Sequence, residues 1–161
     1  MDLRLYHNSH EFYYRSSFGA VPSGSRLILR LRASGSDAQN CRARIRLWQI
    51  NVGESFVPMS YEDGIFTGIV TIPPKGCLLW YYFIISRPEG TVYYGNSAGN
   101  LGGMGEASLQ VPASYQITVY NKGAHTPDWF KHAVMYQIFP DRFHQVGRCD
   151  LTDKLQPFWI H

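Results

Sequence analysis

The feature that most constrains the fold is an uncharged run of nine apolar residues, 77–85, reading Cys-Leu-Leu-Trp-Tyr-Tyr-Phe-Ile-Ile. A run of this length, rich in aromatic and β-branched residues, is typical of a strand at the centre of a sheet with both faces covered. Successive side chains of a strand point to opposite faces, so the run divides into two sets. These sets are Tyr81, Phe83 and Ile85, and Trp80, Tyr82 and Ile84.

Two other segments alternate between apolar and polar residues. Residues 26–32 carry leucine at every second position, and residues 41–48 carry Cys, Ala, Ile and Leu in the same way, with arginine between them. This alternation predicts two half-buried strands, with Cys41, Ala43, Ile45 and Leu47 facing the core in the second one. If both strands lie in one sheet, five arginines and Trp48 share its outer face. The arginines are Arg30, Arg32, Arg42, Arg44 and Arg46.

Two interpretations of that arginine-rich face stay open. It is either a solvated surface on which arginine stems lie beside the indole of Trp48, or a surface that binds a carbohydrate or a protein partner. The second interpretation has a chemical basis, because sugars stack on flat aromatic rings and guanidinium groups donate hydrogen bonds to hydroxyls.

Turn signals separate the extended runs, and no helical periodicity appears between them. Residues 62–64, Glu-Asp-Gly, and 87–90, Arg-Pro-Glu-Gly, both predict hairpin turns. The glycine-rich residues 96–106 lack the lysine and the following helix of a phosphate-binding loop, so we expect a flexible loop there. About eight strands spaced by about 8–15 residues predict an all-β, immunoglobulin-like β-sandwich over residues 1–120.

A second apolar run, residues 133–139, lies near the C-terminus and ends at Pro140. It is typical of a strand buried on both faces. Such a strand needs neighbours on both sides, and only about twenty residues follow it. We therefore expect it to open a second domain that is mostly absent, and to be either disordered or paired with a sheet edge of its own or a neighbouring chain. Before it, Thr126 and Pro127 predict the N-cap and the first position of a short helix.

The residues around this run resemble a known family. Residues 127–132, Pro-Asp-Trp-Phe-Lys-His, and 133–143, Ala-Val-Met-Tyr-Gln-Ile-Phe-Pro-Asp-Arg-Phe, resemble the domain junction of the α-amylase family, glycoside hydrolase family 13. The similarity is to its neopullulanase, cyclomaltodextrinase and maltogenic amylase type. It implies a carbohydrate-binding module family 34-like sandwich over 1–120, a linker over 121–132, and the first-strand fragment of a truncated (β/α)8 barrel over 133–161. The family's Tyr-x-Phe pattern implies that Tyr81 and Phe83 face the inter-sheet core.

The resemblance also implies a reaction for the complete enzyme. The family hydrolyses α-glucosidic bonds with retention, using an Asp nucleophile and a Glu acid/base. In the family these residues follow the fourth and fifth barrel strands, and a further Asp follows the seventh, so we expect no catalytic residue in this chain. The implied function is an N-terminal accessory domain of a glycosidase acting on starch, maltodextrin, cyclodextrin or pullulan. Its implied partners are the α-glucan and the catalytic barrel of the same or a second subunit, where it shapes the active-site cleft and a dimer interface.

Two rival interpretations belong to other functional classes. The first is an independent carbohydrate-binding module for α-glucans, with Trp48 and either Tyr61 or Tyr93 as its platform. The second is an immunoglobulin-like domain with a purely structural role.

Three residues of the barrel fragment are candidates for the active-site region of the complete enzyme. Tyr136 and Gln137 are expected in the barrel interior or behind the substrate-binding layer. Asp141 is either a carboxylate at a strand's C-terminal end, where barrel enzymes place catalytic groups, or a structural charge paired with Arg142 or a neighbouring loop. The family often follows this strand with calcium-binding Asn and Asp residues, but here residues 144–150 carry one carboxylate, Asp150. No calcium, other metal or cofactor is predicted.

Composition excludes several other classes. Of 161 residues, 45% are hydrophobic and 15% aromatic, which is enough for a packed core. A net charge of +3 is too small for the basic surface that is typical of a nucleic-acid-binding protein. Neither a membrane helix nor an N-terminal leader is visible in the sequence. The three widely spaced cysteines, Cys41, Cys77 and Cys149, favour free thiols and a cytoplasmic protein. The six histidines have no accompanying ligand set and are expected at the surface.

Overall fold

In the part of the chain that the structure describes, all strands lie in the first of two units. The computed structural model describes residues 3–139 and residue 147, and the chain divides into two units, Met1–Ala124 and His125–His161. In the described part of the first unit the strands are β1 Arg4–Tyr6, β2 Val21–Pro22, β3 Arg26–Ser34, β4 Arg42–Gln49, β5 Gly53–Pro58, β6 Ser60–Glu62, β7 Ile65–Thr71, β8 Cys77–Arg87, β9 Gly90–Gly95, β10 Glu106–Ser108 and β11 Tyr115–Tyr120.

These strands form two sheets. The smaller sheet has the order β1-β3-β7-β6. The larger sheet is arranged around β8, which pairs with β4 along one edge. Along its other edge β8 pairs with β11 over residues 77–81 and with β9 over residues 83–87. The predicted central strand is therefore confirmed, and so is the all-β, immunoglobulin-like sandwich.

The core lies between the inward faces of the two sheets. Tyr81, Phe83 and Ile85 of β8 are completely buried there, and so are the three leucines of β3. Alternate residues of β4 are buried as predicted, while Arg42 and Arg44 are exposed. Alternation in the sequence therefore identified correctly which side chains of β3 and β4 face the core, and the family's Tyr-x-Phe pattern identified those of β8.

The condition under which five arginines and Trp48 would share one outer face, that β3 and β4 lie in one sheet, is not met. β3 pairs with β1 and β7 in the smaller sheet, and β4 pairs with β5 and β8 in the larger one. A 3-10 turn, Ala38–Asn40, lies between the two strands. The five arginines are consequently divided between two outer faces. Alternation determines which side of a strand is buried, but hydrogen-bond partners determine which sheet it joins.

Local conformation explains the tight hairpin between β6 and β7. Asp63 and Gly64 both have positive φ, 47° and 81°. Positive φ at both central residues is what a two-residue turn between twisted antiparallel strands requires, and Asp-Gly is a preferred pair for it. The turns predicted at residues 62–64 and 87–90 are both confirmed.

The second unit contains one short helix, α1 Asp128–Lys131, within its described residues. Its N-cap is Pro127, so the helix begins one residue later than predicted and Thr126 does not cap it. The strand predicted over residues 133–139 is not formed, because a strand exists only where a neighbouring segment satisfies its backbone groups. Asp141 and the segment considered for calcium lie outside the described residues, apart from Gly147.

Candidate functional site

Two tryptophans lie side by side on the outward face of the larger sheet. The register places Trp48 of β4 opposite Trp80 of β8, and Trp80 opposite Gln116 of β11. The two indole centroids are 5.0 Å apart, with the ring planes inclined at 55°. Both side chains are half-buried. The pair therefore forms an apolar ridge that stays partly open to solvent.

Arginines and further rings continue this surface across the strands. The guanidinium carbon of Arg46 lies 5.2 Å from the ring centroid of Tyr82, and that of Arg44 lies 4.8 Å from the centroid of Phe56. Arg46 also forms a salt bridge of 2.5 Å with Glu54. These contacts hold the guanidinium groups over aromatic faces. We call this surface the outer aromatic face, comprising Arg44, Arg46, Trp48, Phe56, Trp80, Tyr82 and Tyr93.

The chemistry of the outer aromatic face suits a hydroxyl-rich ligand. Tyr82 and Tyr93 meet edge to face, with ring centroids 6.0 Å apart. Burial raises the pKa of Tyr82 above its usual value, so its hydroxyl stays protonated near neutral pH. Ring faces, neutral hydroxyls and fixed guanidinium donors are the groups that contact sugar rings and hydroxyls.

The predicted site residues are distributed over both units. Trp48 and Tyr93 share the outer aromatic face, with Tyr82 between their strands. Tyr61 lies in the smaller sheet, where its ring is 4.7 Å from that of Phe66 and packs against the core. Trp48 and Tyr61 therefore do not form one platform. Tyr136 and Gln137 lie in the second unit and in no strand.

Sequence reasoning did not single out Trp80 and Tyr82 as site residues. Their positions in the central run placed them on the face opposite Tyr81, but nothing showed which neighbour they would meet. The missing information was the register between β4 and β8, which brings Trp80 against Trp48 and Tyr82 beside Arg46.

A buried histidine, His7, packs against the inward side of the same sheet. It follows β1 of the smaller sheet and contacts Tyr81 and Phe83 of β8. It is completely buried, which makes the prediction of surface histidines wrong for this residue. Its Nδ1 lies 2.7 Å from the carbonyl oxygen of Arg30, and its Nε2 lies 3.0 Å from the hydroxyl of Tyr81. A carbonyl oxygen only accepts, so Nδ1 carries the proton and Nε2 accepts from Tyr81.

The surroundings of His7 favour its neutral form. The rings of Tyr14, Tyr81, Phe83 and Tyr115 pack around the imidazole, with centroids 4.8–6.0 Å away. Burial lowers the pKa of His7 to about 4. A strongly shifted pKa often marks a functional site. Here the imidazole is sealed from solvent and bonded on both nitrogens, so its role is structural.

A second buried group, Tyr94, connects this region to the glycine-rich loop. Its hydroxyl lies 3.0 Å from the carbonyl oxygen of His7 and 2.9 Å from that of Gly105. The same hydroxyl accepts from the N–H of Gly105 at 3.1 Å. A side chain at position 105 would collide with the Gly95 carbonyl and the Tyr115 hydroxyl, so only glycine fits there. The loop predicted to be flexible is therefore tied to the core.

Metal and membrane chemistry gain no support from the described residues. Within residues 3–139 and 147, no group of three or more His, Cys, Asp or Glu side chains is arranged to hold a metal ion. None of the helices in that part of the chain is long and apolar enough to cross a membrane.

The chain is similar to part of several longer enzymes. It is 38% identical over 151 residues to an amylopullulanase of Thermoanaerobacterium thermosulfurigenes, covering 87% of this chain and 8% of that enzyme. For an amylopullulanase of Thermoanaerobacterium saccharolyticum the identity is 38%, with 87% and 11% covered. For neopullulanase 2 of Thermoactinomyces vulgaris it is 38% over 136 residues, with 80% and 22% covered.

The chain spans about a tenth of the length of the amylopullulanases and about a fifth of neopullulanase 2. No family model matches the chain, and no solved structure matches it. The resemblance predicted from residues 127–143 is confirmed by these relatives: the chain is a homologue of part of the amylopullulanases and neopullulanases, enzymes of glycoside hydrolase family 13, as an N-terminal domain of such an enzyme would be.

Proposed function

We propose that this chain is an accessory domain of a glycosidase that hydrolyses an α-glucan such as starch, maltodextrin, cyclodextrin or pullulan. One observation carries the proposal. The match to an amylopullulanase extends over 87% of this chain but only 8% of that enzyme. A segment that is this small beside the whole enzyme and that folds as a β-sandwich is expected to be an accessory domain, and we expect it to release no sugar by itself.

The domain is proposed to pack against the catalytic barrel of the same or a second subunit and to narrow its active-site cleft. Large apolar side chains are exposed on three loops: the loop after β1, the loop between β9 and β10, and the loop between β10 and β11. They support this role, because such surfaces are typical of protein contacts. Those more than 60% exposed are Phe12, Phe18, Leu101, Met104, Leu109 and Val111. The loop after β1 and the loop between β9 and β10 are joined by the Asn8–Met104 bridge and by a 3.0 Å hydrogen bond from the Ser9 N–H to the Gly103 carbonyl.

A domain exchange tests the accessory role. The 136-residue matching segment of neopullulanase 2 is replaced by this chain, and pullulan hydrolysis is compared with that of a variant lacking the segment. The exchange should restore hydrolysis, whereas the isolated chain should release no reducing sugar. An exchanged enzyme that is folded by circular dichroism yet no more active than the deletion variant would contradict the proposal.

A second candidate function, α-glucan binding, is favoured by the Trp48–Trp80 pair on the outer aromatic face. Migration of the chain in native gels containing amylopectin tests it. Binding should retard the chain, and Trp48→Ala should abolish the retardation. Phe12→Ala is the matched control, because Phe12 is an exposed ring away from the outer aromatic face. Equal retardation of both variants would contradict a role for Trp48.

A cytoplasmic location and the absence of a cofactor complete the proposal. The thiols of Cys41 and Cys77 are free, and Cys41 is buried, which is the state expected in a reducing compartment.

A further inference from the structure

A cleft of about 610 Å³ lies at the edge of the outer aromatic face, beside Trp80. Its walls are residues 18–20 on one side, residues 96–102 on another, and the outward side chains of β11. The volume falls within the range of about 300–1,000 Å³ that is usual for small-molecule sites. The cleft lies within the first unit, and none of the site residues predicted from the sequence lines it.

The polar groups of the cleft are mainly uncharged. The uncharged ones are the side chains of Ser9, Asn96, Asn100, Ser114, Gln116 and Thr118, and His10 and Arg15 also line the cleft. None of the described residues that line the cleft is acidic. Amides and hydroxyls both donate and accept, which matches the hydroxyls of a sugar. The indole of Trp80 and the ring of Phe18 supply apolar surface for the C–H face of a sugar ring.

Buried Arg15 holds one wall of the cleft in place. It is 7% exposed, and its Nη2 donates to the carbonyl oxygen of Gly19 at 2.7 Å while Nη1 donates to that of Gln116 at 3.2 Å. The guanidinium therefore ties the segment at Gly19 to β11. On the same side, the Phe18 ring meets the His10 ring edge-on, with centroids 5.4 Å apart.

The opposite wall is fixed by side-chain bonds to the glycine-rich loop. The Asn96 Oδ1 accepts from the N–H of Gly102 at 3.2 Å, and the Ser9 Oγ accepts from the N–H of Gly103 at 2.8 Å. Asn96 is itself 7% exposed. A cleft with both walls bonded in this way is formed before a ligand arrives, which lowers the ordering cost of binding.

We propose that this cleft binds a segment of about two or three sugar units of an α-glucan. Trp80 stacks on one sugar ring, and the exposed side chains of Asn100, Gln116 and Thr118 bond to hydroxyls. Because Trp80 borders both the cleft and Trp48, a longer glucan continues from the cleft onto the outer aromatic face. This assignment rests on the proposed α-glucan function and adds a defined subsite to it.

Two substitutions remove cleft contacts at low structural cost. Gln116→Ala shortens an exposed side chain on β11. Asn100→Gly removes an exposed amide at a residue with φ of 54°, a conformation that glycine adopts freely. Tyr120→Thr is the matched control, because Tyr120 lies on the same strand and face as Gln116 but does not line the cleft.

Calorimetric titration of the 161-residue chain with maltotriose and maltoheptaose tests the proposal. Each cleft variant should raise the Kd for maltotriose about tenfold, the loss of roughly one hydrogen bond to a fixed partner. Tyr120→Thr should leave it unchanged. Trp48→Ala should raise the Kd for maltoheptaose more than that for maltotriose, because only the longer sugar reaches Trp48.

Three results would overturn the cleft assignment, and they separate it from the broader proposal. One such result is maltoheptaose binding that is weakened by Trp48→Ala but by neither cleft variant. It would contradict glucan binding in the cleft and support binding on the outer aromatic face. Binding of inorganic phosphate in preference to maltotriose would identify an anion site. If neither sugar binds, both proposed glucan sites are contradicted. The domain exchange then tests the accessory role separately.

Discussion

Both faces of the larger sheet carry aromatic side chains, but those of the inner face are buried in the core, whereas several of those of the outer face are partly exposed to solvent. On the inner face Tyr81 is completely buried, and its hydroxyl is bonded to His7. On the outer face Trp48 and Trp80 are half-buried, and each presents part of a ring to solvent. Aromatic content alone therefore does not distinguish a core from a binding surface. The distinction lies in whether a neighbouring layer covers the rings and satisfies their polar groups.

Substitutions on the two faces should have different consequences, and the largest is expected for Phe83→Ala. Phe83 is completely buried and packs against His7 and Tyr81. Its truncation should lower the free energy of unfolding by about 3–5 kcal/mol. Trp48→Ala, on the outer face, should cost about 1–2 kcal/mol because the indole is only half-buried. Urea unfolding measures both, and equal losses would contradict the contrast between the faces.

The pH dependence of stability should report on the inner face next. Burial lowers the pKa of His7 to about 4, whereas unfolding restores about 6.5. Between these values the unfolded chain binds the proton and the folded chain does not. The contribution of His7 to the free energy of unfolding is therefore fully present above pH 6.5. It falls by roughly 3 kcal/mol as the pH drops to 4. Urea unfolding at several pH values measures this, and a His7→Gln variant should have a flatter profile over the same range.

Tyr93 and Tyr94 are neighbours on β9, and their side chains lie on opposite faces of the sheet. Tyr94→Phe removes the hydroxyl that bonds to His7 and Gly105 in the core and should cost about 1–3 kcal/mol, since buried backbone groups lose their partner. Tyr93→Phe changes the outer face and should cost under about 0.5 kcal/mol. Thermal unfolding of the two variants compares them. A larger effect from Tyr93→Phe would reverse the assignment of the faces.

The smallest effect is expected at the Arg46–Glu54 salt bridge. The Glu54 side chain is 51% exposed, so solvent screens the pair, and such surface pairs contribute about 0–1 kcal/mol. A double-mutant cycle with Arg46→Ala and Glu54→Ala should give a coupling energy in that range, falling as salt is added. A coupling above about 2 kcal/mol would show that the outer face is more deeply desolvated than its exposure indicates.

Much of the architecture was predictable because β-strand side chains have a two-residue period. The alternation in β3 and β4 identified their buried residues, and the uncharged run of β8 identified a central strand, whose inward residues were assigned from the family's Tyr-x-Phe pattern. The period does not encode which strands become neighbours, so the sequence left open whether β3 and β4 share a sheet. Residues 133–139 form no strand, because an apolar run becomes a strand only where it pairs with a neighbouring segment.

The candidate site was less predictable than the fold. Trp48 and Tyr93 were identified as outward rings, but their neighbours Trp80 and Tyr82 became relevant only through strand register. His7 lies just after a three-residue strand and has no local signal of burial, because the rings that enclose it come from distant segments. The cleft is built by loops from residues 9–20 and 96–102, and long-range contacts of this kind leave no periodic trace in the sequence.

We propose that the outer face of the larger sheet contacts α-glucan, whereas the inner face only stabilises the fold. Two-dimensional 15N–1H spectra recorded during titration with maltoheptaose test it most directly. The indole signals of Trp48 and Trp80 and the side-chain amide signal of Gln116 should shift together and saturate, while the backbone amide of Phe83 and the indole of Trp129 should not. Saturating sugar that leaves both indole signals of the outer face unmoved would contradict the claim.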